Sequence, residues 1–149
     1  MKSAAAVLFI TGVLLFSASC AGISKERETA LSEAAEEGNL QVLEELISGF
    51  SNIDARDKDG RTALHQAAIT GDILVTAALL NAGADPGIQD RRGRVPLHYA
   101  VLSCNPDLAA MLLAADADPY VLDKNKQTPL SLAEENGCIE VEQTITSSL

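Results

Sequence analysis

Two histidines and two cysteines are the residues of this chain best suited to chemistry. His65 and His98 stand one 33-residue step apart, and a matched imidazole pair could hold a metal ion or accept a proton as general base. Cys104 and Cys138 could act as a thiol pair. A joint zinc site is disfavoured, because His98 and Cys104 lie six residues apart on one predicted helix, about 9 Å along its axis. The chain has no Gly-rich phosphate loop, no His-Glu-x-x-His and no Gly-x-Ser-x-Gly. No catalytic residue, metal ligand or cofactor is therefore assigned. A thiol- or metal-dependent enzyme built on His65 and His98, or on Cys104 and Cys138, stands only as the alternative.

The elements that carry these residues repeat. Gly60–Asp90 returns 33 residues later as Gly93–Asp123, with matches at Gly60/Gly93, Leu64/Leu97, His65/His98, Leu79-Leu80/Leu112-Leu113, Ala84/Ala117 and Asp85/Asp118. The same step carries Leu97 to Leu130, and backwards it carries Leu64 to Leu31 and Gly71 to Gly38. A fixed period over four copies specifies a stacked array in which each unit buries its apolar face on the next. Aromatic content is 3% with no Trp, so the core must come from Leu, Ala, Ile and Val. Helices are predicted at Ala30–Glu37 and Leu40–Ser48, then after Thr62, after Asp72, from Pro96 and Pro106, from Pro129, and at Ile139–Thr146. Pro106 suits the first turn of its helix, where a missing N–H is no loss. Glu33, Glu36 and Glu37 mark the first copy as a cap, and Glu142 and Thr146 mark the last, since a terminal repeat must keep one face polar.

The segments Gly60-Arg-Thr-Ala-Leu-His-Gln-Ala-Ala68, Gly71-Asp72 and Leu79-Leu80-Asn-Ala-Gly83-Ala84-Asp85 resemble an ankyrin repeat, and Arg94–Ala100 and Thr128-Pro129-Leu130 repeat its opening. The resemblance covers roughly Glu28 to Ile145. It implies an all-α solenoid of about four stacked helix–turn–helix pairs joined by β-hairpin-like loops, or fingers, with repeats at about 27–59, 60–92, 93–125 and 126–149. Ala63, Val95, Cys104 and Asp116 depart from the family pattern, the last two where glycine is usual. In such proteins the repeated histidine ties the start of one helix to the backbone of an adjacent loop, and that is the expected role of His65 and His98. Their equivalents at 32 and 131 are both Ser. Stacked helices lie roughly 8–10 Å apart, whereas a disulfide needs Cα atoms within about 7 Å. Two free, partly buried thiols are thus expected at Cys104 and Cys138, with a disulfide open to an exported chain as the alternative.

Residues 1–22 stand apart from the array. Lys2 is followed by the apolar run Ala4–Phe16 and by small residues at Ser17–Ala21, the layout of an export signal. Cys20 resembles the lipidated cysteine of bacterial lipoproteins, although Ser17 occupies the usual Leu position. Lipid anchoring through Cys20 in a bacterial envelope or periplasm is the leading expectation. Cleavage near Ala21 to a soluble secreted form is one alternative, and an uncleaved anchor over Ser3–Ser24 is another. Residues 23–28 read as a tether to a domain at 29–149.

Net charge is −10, which repels phosphate backbones and disfavours nucleic acid as a partner. The charges are segregated. Arg56, Lys58, Arg61, Arg91, Arg92, Arg94, Lys124 and Lys126 fall in the three fingers, while Glu33, Glu36, Glu37, Glu44, Glu45, Glu134, Glu135, Glu140 and Glu142 fall on helices. A positive ridge on a negative body would orient a protein partner with acidic contact groups. Ankyrin-like proteins bind through finger tips and the exposed side of the first helices. By position this implies a contact surface of Lys58, Asp59, Arg61, Ile69, Thr70, Arg91, Arg92, Arg94, Tyr99, Leu102, Ser103, Lys124, Asn125, Gln127, Glu135 and Asn136. The expected activity is stoichiometric binding by a monomer, as scaffold or as inhibitor or immunity-type protein.

Overall fold

The computed structural model describes residues 30–49 and 52–148, and those residues form eight helices and no strand. They are α1 (residues 30–37), α2 (Leu40–Gly49), α3 (Ala63–Thr70), α4 (Ile73–Asn81), α5 (Pro96–Leu102), α6 (Pro106–Ala114), α7 (Pro129–Asn136) and α8 (Ile139–Ser147). Residues 1–22, Cys20 and the tether at 23–28 lie outside the described residues, so the export and lipidation expectations rest on sequence. Among the described residues no helix is long and apolar enough to cross a membrane.

The helices pack in two rows. First helices of successive repeats meet along α3–α5–α7, and second helices along α2–α4–α6–α8. One continuous core runs from Leu31 to Ile145. Its most regular rung is alanine: Ala34, Ala67, Ala100 and Ala133 recur at the period and are all buried. A methyl group there lets neighbouring pairs approach closely, and larger side chains fill the layers between them. Leu31, Leu64 and Leu97 are buried in register, whereas Leu130, in the last described repeat, is half-buried.

Helix ends repeat as faithfully as the core. The first helix of each pair stops at a left-handed residue: Gly38 (φ 66°), Gly71 (75°), Cys104 (47°) and Gly137 (69°). In the first three pairs the next residue then caps the second helix through its side chain. Asn39 accepts the Val42 N–H, Asp72 accepts those of Leu74 and Val75, and Asn105 accepts that of Leu108. Each such bond satisfies an amide that the first helical turn leaves without a partner.

The fingers are hydrogen-bonded turns. Asp57, Asp90 and Asp123 occupy one repeat position, and each pairs its N–H with the carbonyl four residues on. Each also accepts through Oδ1 from the N–H groups two and four residues on, at 2.7–3.1 Å. Successive fingers then join: Arg91 N–H donates to the Asp59 carbonyl and Lys124 N–H to the Arg92 carbonyl, both at 2.9 Å. Glycine at 60 and 93 permits that approach, since a Cβ there would sit 3.2 Å from the Arg91 nitrogen and 3.1 Å from the Lys124 nitrogen. Lys126 holds the equivalent place with φ 63°, and among the described residues no later finger packs on it.

Candidate functional site

Both histidines have each ring nitrogen engaged. His65 Nδ1 accepts the Thr62 N–H at 3.1 Å, which fixes the proton on Nε2 for donation to the Arg94 carbonyl at 3.0 Å. His98 repeats this with the Val95 N–H at 3.2 Å and the Gln127 carbonyl at 3.2 Å. Each imidazole thus bolts the start of a first helix to the next finger, as the resemblance implied. Burial pulls both pKa values below the ordinary 6.5, partly offset by the carbonyl each ring bonds. Ser131 stands in the histidine position of the last described repeat, and its hydroxyl accepts the Thr128 N–H at 2.9 Å.

The expectation of two free thiols is corrected. Cys104 and Cys138 are joined by a disulfide with Cα atoms 5.4 Å apart. The 8–10 Å separation belongs to the helix axes and not to the turns between them. Both residues lie in inter-helix turns, where backbones approach more closely than the helices do.

The predicted contact surface divides into two sets. Tyr99 is buried at 8% exposure and is not a surface residue. Its hydroxyl donates to Asp90 Oδ2 at 2.5 Å, and the guanidinium groups of Arg61 and Arg94 lie 5.5 and 6.0 Å from its ring centre. Arg61 Nε stands 3.9 Å from Asp90 Oδ2, and Arg94 Nε donates to Asp123 Oδ2 at 3.2 Å. Both arginines are largely covered and serve as struts between neighbouring fingers. Tyr99, Arg61 and Arg94 therefore leave the freely presented set. Gln127 is half-buried and donates through its side chain to Glu135.

Electrostatics follow from this network. Burial raises the Asp90 pKa, but the Tyr99 hydroxyl and the N–H groups of Arg94 and Arg92 outweigh it, leaving the carboxyl below its usual range. Asp123 is also lowered: burial opposes the shift, and the Gln127 N–H and Arg94 guanidinium prevail. Tyr99 is raised by burial and by its bond to Asp90.

The second set stays open. Lys58, Asp59, Ile69, Thr70, Arg91, Arg92, Leu102, Ser103, Lys124, Asn125, Glu135 and Asn136 are exposed. Ile69 and Leu102, one repeat apart on α3 and α5, are 38% and 43% exposed. Lys58, Arg91 and Lys124 fall on one position of three successive fingers, a row of cations flanked by Arg92 and Lys126. Among the described residues none of these five is in an ion pair.

The sequence reading missed a side-chain ladder along the other edge of the fingers. Arg56 donates to the carbonyls of Gly60 and Gln89, and Gln89 donates to those of Gly93 and Leu122. Arg56 is thus a strut and not part of the ridge. The 33-residue alignment of Arg56, Gln89 and Leu122 was the available signal.

A family profile of ankyrin repeats, in three copies, matches residues 6–90 and 71–147. No curated protein gives a significant match.

Proposed function

This chain belongs to the ankyrin-repeat family, and from that premise we propose that it presents a preformed cationic row to an acidic protein partner in the bacterial envelope. Ankyrin repeats indicate a protein–protein interaction module. The observation carrying the finer reading is the exposed row Lys58–Arg91–Lys124, with Arg92 and Lys126, on a chain of net charge −10. The turn carboxylates of Asp57, Asp90 and Asp123 and the finger-to-finger amide bonds hold the backbone under that row. The partner therefore meets a surface whose ordering is already complete. Ile69 and Leu102 supply an apolar centre beside the charges, a common composition for an energetic core with a charged rim.

The protein acts by occupancy, as scaffold or as a blocking, immunity-type partner, and does so as a monomer. Export with a lipid on Cys20 places it at the membrane surface. The Cys104–Cys138 bond supports export, since such bonds persist in oxidising compartments.

Affinity capture from envelope extract with the wild type, compared with Arg91→Glu/Arg92→Glu, tests the row. The expected result is a partner lost or weakened at least tenfold by the variant, with unfolding stability changed by no more than about 0.5 kcal/mol. An identical capture profile and titration for the two proteins refutes the row. The mass of the mature N-terminus, measured separately, decides whether Cys20 carries lipid.

A further inference from the structure

We propose that the Cys104–Cys138 disulfide is a redox latch on the fourth repeat. The case starts from what the two cysteines replace. Position 104 is the left-handed stop of a first helix, which is glycine in the other three copies at φ 66–75°. Cys104 holds φ 47° there with a Cβ that L residues rarely accommodate. Position 138 is the cap of a second helix, which is Asn39, Asp72 and Asn105 in the other copies. Cys138 gives α8 no side-chain cap bond. Two local rules are broken in adjacent repeats, and the two offending side chains are the ones joined to each other. Such paired departures from a consistent pattern mark a selected feature.

The bond lies where it controls one repeat. It crosses from the turn between α5 and α6 to the turn between α7 and α8. In a stacked array each repeat is held only by its neighbours, and among the described residues the fourth repeat packs against the third alone. Cys104 is exposed, and a shallow cleft lined by Cys104, Cys138, Ile139 and Glu140 opens onto the bond. A dithiol reductant can therefore reach it. Its thiolate attacks one sulfur of the bond to give a mixed disulfide. Its second thiol then displaces the protein, and the reductant leaves as its own disulfide. Two electrons and two protons have passed to Cys104 and Cys138, which end as thiols. What remains is a left-handed cysteine and an uncapped helix, both now uncompensated.

Reduction then loosens α7 and α8 while the earlier repeats stay folded. Finger three keeps its ties to the earlier repeats, because His98 Nε2 donates to its Gln127 carbonyl, Arg94 Nε to Asp123 and the Lys124 N–H to the Arg92 carbonyl. The latch therefore acts on α7 and α8 and is independent of the binding reading above.

Hydrogen exchange on the full chain, oxidised and after dithiothreitol, reads the latch without any partner. Amides of Pro129–Ser147 are expected to exchange at least tenfold faster after reduction, with Ala63–Asn81 changed less than twofold. Cys104→Ser/Cys138→Ser should match the reduced wild type. Cys104→Gly/Cys138→Asp restores the residues of the other repeats, and should keep α7 and α8 protected with or without reductant. Protection of α7 and α8 that survives reduction, a bond that dithiothreitol cannot open in the native protein, or a Gly/Asp variant as loose as the reduced wild type would each overturn the proposal. If the Ser variant does not fold, reductant titration of the wild type against the Gly/Asp variant decides alone.

Discussion

Replacing the turn carboxylates one at a time should produce unequal losses, and the structure sets their order. Asp57, Asp90 and Asp123 are equivalent in sequence and make the same two backbone bonds. Their surroundings differ. Asp57 is half-buried, so water can replace the acceptor, and Asp57→Ala should lose about 1–2 kcal/mol. Asp90 is 6% exposed and also receives the Tyr99 hydroxyl. Asp90→Ala leaves that hydroxyl buried without an acceptor and leaves Arg61 without its counter-charge, a loss of about 3–4 kcal/mol. Asp123→Ala removes the acceptor of Arg94 Nε and should fall between the two. Urea unfolding at neutral pH, with the disulfide intact, measures all three; slopes should stay constant while midpoints shift. The pH dependence gives a second reading. The folded pKa of Asp90 lies below 3.8, so between the two values the unfolded chain binds the proton and the native state does not. Its contribution is present above about pH 3.8 and fades as pH falls through the folded value. The gap between wild type and Asp90→Asn must therefore narrow with acid. Equal losses at 57 and 90, or a gap indifferent to pH, would refute the assignment of Asp90 as the buried keystone of the second finger.

Four further outcomes follow from the same contacts. His65 and His98 have folded pKa values below 6.5, so protonation is taken up first by the unfolded chain. Their share of stability is complete above about pH 6.5 and declines below it, and thermal melts should show a falling midpoint between pH 7 and 5 that flattens in His65→Gln/His98→Gln. Gly60→Ala forces an L residue to φ 75° with its Cβ 3.2 Å from the Arg91 nitrogen, and should lose about 1–2 kcal/mol by urea titration. Lys126→Gly relieves φ 63° and should gain up to about 1 kcal/mol in the same assay. Arg94→Glu sets a carboxylate against Asp123 and should lower stability by about 3–5 kcal/mol, in contrast to the near-neutral change at Arg91 and Arg92 in the same finger.

That contrast within one finger also marks how far the sequence could be read. Helix order, the alanine rungs and the place of His65 and His98 are properties of a repeating unit, and periodicity exposes them directly. Burial of Tyr99, Arg61 and Arg94 is a property of the contact between one finger and the next first helix. The residues equivalent to Tyr99 in the other described repeats are Glu33, Gln66 and Leu132, so nothing at its own position announced a shared hydroxyl–carboxylate bond. The signal lay in the partners, since Asp90 and Asp123 were aligned and buried acids require donors. The disulfide was missed for a related reason: helix spacing describes the bodies of the repeats, whereas both cysteines occupy the turns.

Departures from the repeat pattern can be sorted by whether a missing neighbour explains them. Among the described residues no finger packs on Lys126, where two other copies carry glycine, and Ser131 bonds only its own cap where His65 and His98 reach a following finger. Leu122 is the last described member of the Arg56–Gln89 ladder. Each of these lies in the last described finger or repeat. Cys104 does not. It belongs to the third repeat, with a full neighbour on each side, and glycine would serve its backbone better. Its partner Cys138 gives up a cap that α2, α4 and α6 all possess. An uncovered position in the last described repeat relaxes constraints, but it gives no reason for two unfavourable residues to face each other at 5.4 Å. A covalent bond between them does, and among the described residues it locates the place where stability is tied to the redox state of the surroundings.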